Sequence, residues 1–549
     1  MHISSASLLR LTVAAAIAAT TATRADACTS LVAAKGATAD GSVMVTYAAD
    51  SHNLYGELYR QPAADHPKGA VRKIIDWDAN HYRGDIPEVP HTYATIGNMN
   101  EHGLVIAEST WGGRPELEGS GIVDYGSLIY IALQRATTAR EAITVMTTLV
   151  RDYGYASEGE SFSIADASEV WIMEMIGKGK ADKGAVWVAR RIPDNCISGH
   201  ANHARIHRFP LDEPQTTLYS PDVISFAREQ GYYSGTDADF DFSKAYAITD
   251  FGALRGCDAR VWSDFHRFSD GGIDAYLTWI DEGRGEPMPL WIEPSRKLSA
   301  DDLKWMMRDH FEGTPYDMTK DIGAGPFDVP YRWRPMTFTV DSVEYTNERA
   351  IATQQTGFSF VASVNASRPE AMRGILWFGV DDANTCVYVP VFNSTPEPPH
   401  QLAPGNGDML TLSWDAMFWV NNYVANQAYN RYSQMIGDIR AVQSALEDGI
   451  TAAVAKAQTD IAAMPYAQAQ ATLADVTNYW TAKATSDYKT MGDKLLVKYL
   501  DGNIKQEKDG QFVRTPEGMC ARPTFGGYNE RYYRSIVNEC GEHLRVKKY

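Results

Sequence analysis

Cys28 is the residue that most narrows what this chain can become. Directly before it stand Ala25-Asp26-Ala27, small residues at the −3 and −1 positions that a signal peptidase pocket accepts. Directly after it comes CTSLVAA, a short β-rich run. The upstream segment fits a leader. Met1–Arg10 carries one arginine and one histidine, and LTVAAAIAATTA (Leu11–Ala22) is a mildly apolar run of the length of a signal h-region. It is too short and too rich in Ala and Thr to span a bilayer, which takes about 20 apolar residues. Residues 1–27 are therefore expected to be a signal peptide that is removed, leaving Cys28 first in an exported, periplasmic or secreted chain. Two other readings exist. Cys28 can be an ordinary buried cysteine at the start of a strand, or a lipid-attachment cysteine. The second is disfavoured because Ala25 and the charged Asp26 stand where an aliphatic lipobox is expected.

A terminal cysteine carries its own chemistry. Its α-amine has an ordinary pKa of about 7.7–8.0, so part of it is neutral at pH 7. It can accept the thiol proton and later return a proton to a leaving amine. Nucleophile and base then reside in one residue, created by the cut itself.

Downstream, the pattern is of strands joined by polar turns. CTSLVAA and SVMVTYA flank KGATADG, which ends in the hairpin signal Asp40-Gly41. HTYATIGNMNEHGLVIAEST repeats the pattern around Asn98–Gly103, and SFSIADASEVWIMEMIG and GAVWVARRIP add further strands. One long helix is expected over YGSLIYIALQRATTAREAITVMTTLVRDYG, and another over SADDLKWMMRDHFEG with Ser299 as N-cap and Gly313 as terminator. PVFNSTPEPPHQLAPGNGD (Pro390–Asp408) reads as a loop or linker. Beyond it the chain turns helical. Ala428, Tyr432, Met435, Ile439, Val442, Leu446 and Ile450 form one apolar stripe, and Leu473, Val476, Trp480, Met491 and Leu495 another. The layout is α+β with layered antiparallel sheets, not alternating βαβ units. The division is 1–27 leader, 28–395 catalytic domain and 396–549 helical region packed upon it.

Several functions are disfavoured. A net charge of −18 gives no basic face for nucleic acid or anionic lipid. Neither a GxGxxG turn nor a GxxxxGK[ST] loop is present. His200, His203 and His207 in GHANHARIH lack the glutamate of an HExxH motif, so no metal or other cofactor is expected. Of the six cysteines, Cys520 and Cys540 are the best candidates for a disulfide, with Cys196, Cys257 and Cys386 open; the alternative is that all are reduced.

The stretches CTSLVAAKGATADGSVMVTYAADS, NEHGLVIAEST, ISGHANHARIH, CDARVWS and PLWIEPSRKLSADDLKWMMRDHFEGTPYD, in that order, resemble the C69 dipeptidases. Those belong to the N-terminal nucleophile hydrolase superfamily, with penicillin V acylase and conjugated bile acid hydrolase as relatives. The resemblance implies a four-layer αββα fold with a helical C-terminal extension, and cysteine-type hydrolysis of dipeptides with Cys28 as nucleophile. It further implies Asp50 beside the terminal amine, Asn202 as a donor to the oxyanion and Arg260 near the nucleophile. In two places this chain departs from those relatives. Tyr47 stands where an arginine is common, and Thr110 where an asparagine often lies in the bile acid and penicillin enzymes. Both are candidate substrate-binding positions. The implied partners are a small dipeptide and, for maturation, signal peptidase. A homo-oligomer is compatible with the sequence, while nucleic acid and a membrane span are not expected. The alternatives are a non-peptide amidase of the same superfamily, acting on bile acids, β-lactams or acyl-homoserine lactones, and a lipid-anchored binding protein without catalysis.

Overall fold

A computed structural model describes residues 28–180 and 182–549. The leader assigned to residues 1–27 lies outside them. Two antiparallel sheets carry the fold. In the seven-stranded sheet the strands lie in the order Trp291–Ile292, Ile197–His200, Ser30–Ala33, Val43–Asp50, Thr356–Val364, Gly374–Val380, Val389–Phe392. The eight-stranded sheet runs Thr217–Tyr219, Ala185–Arg191, Val170–Gly177, Gly159–Ala165, Val105–Gly112, Met99–Asn100, Thr95–Ile96, Arg60–Gln61.

The hairpins expected from alternation and turn residues are present. Val32 pairs with Val45 and Ala33 with Met44, across a turn in which Gly41 takes φ +74°. Gly159–Ala165 pairs with Val170–Gly177, and Val105 pairs with Met99 behind the turn at Gly103. The pairing of Val43–Asp50 with Thr356–Val364 joins residues some three hundred positions apart, and no local signal announces it.

Period-two alternation sorts the side chains into layers. Val105 and Ala107 belong with Val32, Val45, Phe360 and Leu376 to the core between the sheets. Leu104 and Ile106 face the other way, packing with Phe162, Trp171 and Met173 against the helices Tyr125–Arg135 and Ala139–Tyr153. On the seven-stranded sheet, Ala259–Phe268, Ala300–Met306, Met417–Asn430, Tyr432–Ile461 and Tyr466–Lys498 each contact one or more strands.

Four expectations need correction. The helix over 125–154 is two helices, because the Thr138 hydroxyl accepts from the Glu141 N–H and caps a second start after Ala136. The Ser299 capping box is present, but that helix stops at Met306, well before Gly313; Phe311 already has φ +65°. The stripe from Ala428 to Ile450 crosses a break at Arg431 between two helices. Pro390–Phe392 is not loop but part of an edge strand, where a missing N–H costs no ladder bond. All six cysteines are free. Cys520 bridges to Arg514 and Cys540 ends the helix Glu530–Cys540, which packs on Ile322–Phe327, so different neighbours hold the proposed disulfide partners.

Candidate active site

Cys28 heads the first strand of the seven-stranded sheet. The Thr29–Ala48 bridge sets it beside the end of Val43–Asp50. By strand parity Cys28, Ser30 and Val32 share the face toward the other sheet, as do Val45 and Tyr47. The Cys28 Sγ accordingly lies 3.7 Å from the Tyr47 hydroxyl. Tyr47 in turn donates to Glu108 Oε1, on a strand of the eight-stranded sheet. Glu160, on the adjacent strand, accepts from the Thr110 hydroxyl at 3.0 Å.

The other expected residues converge from separate elements. Asp50 is fully buried; its Oδ1 accepts from the Thr356 hydroxyl and its Oδ2 from Arg349, both at 2.6 Å. Asn202 follows the strand Ile197–His200 with φ +61°, a left-handed conformation that asparagine tolerates better than most residues. Its N–H donates to Ser109 Oγ (3.1 Å) and its side-chain amide to the Thr110 carbonyl (2.5 Å). Arg260, in Ala259–Phe268, spreads its guanidinium across the site. Nη1 donates to the Cys28 carbonyl and Thr29 Oγ1, both at 2.8 Å. Nη2 donates to the Ala201 carbonyl (3.1 Å) and Asn202 Oδ1 (2.9 Å), and Nε to the Gly256 carbonyl (2.9 Å). Arg260 thus grips the backbone of the cysteine and the amide of Asn202. Burial, with repulsion from Arg349, pushes its pKa down to about 10.

The electrostatics around the thiol are anionic. Burial first, then the Glu108 and Asp50 carboxylates, push the Cys28 thiol well above its usual value; the Asp50 backbone N–H and the Tyr47 hydroxyl pull it the other way. Burial raises the Glu108 carboxyl, and burial together with Glu108 raises Glu160 well above the ordinary carboxylate range.

The three histidines of GHANHARIH go to separate partners. His200 lies between Ser109 Oγ (2.6 Å) and Ser163 Oγ (2.9 Å). His203 pairs with Asp258 at 2.9 Å and His207 with Asp241 at 3.1 Å. Among the described residues, no group of three or more His, Cys, Asp or Glu side chains is arranged to hold a metal ion, and no helix is long and apolar enough to cross a membrane.

All six sequence-expected residues therefore meet in one region. Glu108, Glu160 and Arg349 were not foreseen. The signal for the glutamates was present: each is a lone carboxylate within a buried strand, in LVIAEST and GESFSIA. Arg349 comes from an irregular segment, NERA, that gave no signal.

The model of peptidase family C69 matches residues 27–445. A probable dipeptidase of Latilactobacillus sakei is 25% identical over 435 residues, covering 74% of this chain and 82% of its own. A probable dipeptidase of Salmonella dublin is 24% identical, covering 67% and 81%. A dipeptidase of Bifidobacterium longum is 24% identical over 505 residues, covering 79% and 86%. With a match over most of its length, beginning one residue before the buried thiol, the chain belongs to peptidase family C69 and is a hydrolase.

Proposed function

We propose that this protein is a cysteine-type dipeptidase of the N-terminal nucleophile class, exported and activated by removal of residues 1–27. The observation that carries this reading is the position of Cys28. The thiol heads a central strand, and Arg260 holds its carbonyl while Asp50 closes the neighbouring strand. The names of the relatives support dipeptides as the substrate class. Helices on one sheet, two facing sheets and helices on the other support the four-layer arrangement.

In this mechanism the Cys28 α-amine takes the thiol proton as Sγ attacks the peptide carbonyl. The raised thiol pKa suits a step in which deprotonation accompanies attack. Asn202 stabilises the oxyanion, and its amide, now on the Thr110 carbonyl, is already aimed by Arg260. The amine product leaves with the proton held by the Cys28 amine, and water hydrolyses the thioester. Arg260 and Asp50 are positioning residues.

The test is N-terminal sequencing and intact mass of the exported protein, together with assay of Cys28→Ser on a dipeptide panel alongside glycocholate and penicillin V. A mature chain starting at Cys28, with dipeptide turnover lost at least 10³-fold in Cys28→Ser, is the expected result, since the triad-type nucleophiles lose roughly that much or more. Dipeptide hydrolysis by a chain starting elsewhere would refute the amine base. A diacylglycerol adduct on Cys28 would refute the hydrolase.

A further inference from the structure

Asn202 takes φ +61°, a conformation that a residue other than glycine keeps only where its surroundings hold it. Three groups do so. Arg260 donates to its Oδ1 at 2.9 Å, the Thr110 carbonyl accepts from its side-chain amide at 2.5 Å, and Ser109 Oγ accepts from its backbone N–H at 3.1 Å. The first two grip the side chain. Of the three, Ser109 alone grips the peptide, and so sets the backbone from which the amide is aimed.

Ser109 is itself held in one direction. Its oxygen accepts from an N–H that can only donate, so its own hydrogen turns to its other partner, His200 Nδ1, at 2.6 Å. Burial keeps the His200 ring neutral. With Nδ1 accepting, Nε2 carries the one ring hydrogen and donates to Ser163 Oγ at 2.9 Å. Ser163 then turns its hydrogen to Ser30 Oγ at 2.8 Å. Ser30, Ser109, Ser163 and His200 are all 0% exposed, out of reach of solvent. The donors therefore run in one order, from Asn202 to Ser109, His200, Ser163 and Ser30. The chain ends two residues from Cys28, on the strand that the thiol heads, where Ser30 stands opposite His200 in register.

Building on the reading of Cys28 as nucleophile and Asn202 as oxyanion donor, we propose that Ser109 and His200 are positioning residues for Asn202. Ser109 fixes the Asn202 peptide, and the His200 ring fixes the Ser109 hydroxyl. Neither touches the thiol; both act on the transition state through the Asn202 amide. Without Ser109 the Asn202 peptide loses its only side-chain acceptor and can turn, and a misplacement of about 1 Å at such a donor costs roughly 100-fold in rate.

The test measures dipeptide kinetics of the mature enzyme and its variants beside iodoacetamide alkylation of Cys28, a reaction that forms no oxyanion. Ser109→Ala is expected to lose roughly 10- to 100-fold in kcat, with KM and the alkylation rate each within about threefold of the unmodified enzyme. The intact alkylation rate shows that the thiol and its fold are undisturbed. A second pair of variants reads the direction of the chain. The amide of His200→Asn falls where Nδ1 stands and can still accept from Ser109, whereas that of His200→Gln falls where Nε2 stands and serves Ser163 instead. His200→Asn is expected to keep a kcat at least about fivefold above that of His200→Gln. A bridge that merely joins the sheets would lose equally in both, and equal losses overturn the assignment even where Ser109→Ala fails to fold. Unaltered kcat in Ser109→Ala, or an alkylation rate that falls in step with kcat, overturns it too while the dipeptidase reading stands. Turnover of no dipeptide by a chain that begins at Cys28 overturns that reading, and this assignment with it.

Discussion

Tyr47 ties the Cys28 thiol, on one sheet, to a buried carboxylate on the other. An arginine there would place a cation against the thiol. Tyrosine places instead a neutral donor that is itself tied to a buried carboxylate. Its hydroxyl favours the thiolate, while Glu108 opposes it. The two substitutions at these positions should therefore act in opposite directions on Cys28. At pH 8, alkylation of Cys28 by iodoacetamide, followed by mass of the Cys28 peptide, is expected to slow in Tyr47→Phe and to quicken in Glu108→Gln. In the unmodified protein the rate should climb about tenfold per pH unit through pH 9 without levelling, because only the thiolate reacts. A plateau below pH 8 would mean that the thiol is not held up by its surroundings. At this scale the sequence was informative wherever a residue sat in a recognisable stretch, as Cys28, Asp50, Asn202 and Arg260 did. It was silent on pairings such as Arg349 with Asp50, which depend on where an irregular loop finishes in space.

At the scale of elements, the two sheets are joined by more than apolar contact. Ser30 and His200 belong to the seven-stranded sheet, Ser163 and Ser109 to the eight-stranded one. Ser30 Oγ lies 2.8 Å from Ser163 Oγ, and His200 bridges Ser163 and Ser109. Burial, with Arg205 nearby, pushes the His200 pKa down to about 3, so its ring is neutral in the fold. The sign of the resulting pH dependence is definite. Below its ordinary pKa near 6.5 the unfolded chain binds a proton on this ring that the folded chain excludes. The stability from the neutral ring is thus full above pH 6.5 and falls as the pH drops toward 3, by up to about 1.4 kcal/mol per unit. Urea unfolding of the protein and of His200→Leu at pH 7, 6, 5 and 4 tests this: the difference between them should shrink as the pH falls. A constant difference would show that His200 titrates normally. The hairpins themselves were readable from alternation and turn residues. The meeting of the sheets was not, because a serine in a strand looks the same whether it faces solvent or a histidine across the core.

For the whole molecule, the open matter is whether the helices beyond residue 396 are an appendage or part of the same cooperative unit. Their apolar stripes were legible in the sequence, since Met435, Ile439, Leu446 and Ile450 recur at helical spacing and are buried. What they cover was not legible. The surface they meet is the seven-stranded sheet that holds Cys28, and the contact is specific. Arg308 and Glu447 form a bidentate pair at 2.6 and 3.1 Å, nearly buried, and Glu447 also accepts from the Tyr388 N–H at 3.0 Å. Gln443 donates to the Cys386 carbonyl at 2.6 Å, Gln470 to the Ser394 carbonyl and Tyr488 to the Thr385 carbonyl, each at 2.8 Å. Removing the helices would expose that sheet face and strand these carbonyls. The protein is therefore expected to melt in one transition, coincident by far-UV circular dichroism and tryptophan fluorescence. Glu447→Leu should lower stability by about 3–5 kcal/mol, because it leaves the Arg308 charge buried without its partner. Arg308→Met combined with Glu447→Leu should recover a large part of that loss, since the cost lies in the unpaired charge and not in the absence of the pair. A fragment of residues 28–395 that is soluble, melts cooperatively and hydrolyses dipeptides would show the opposite: the helices would then be an independent layer, and the sheet carrying Cys28 would stand without them.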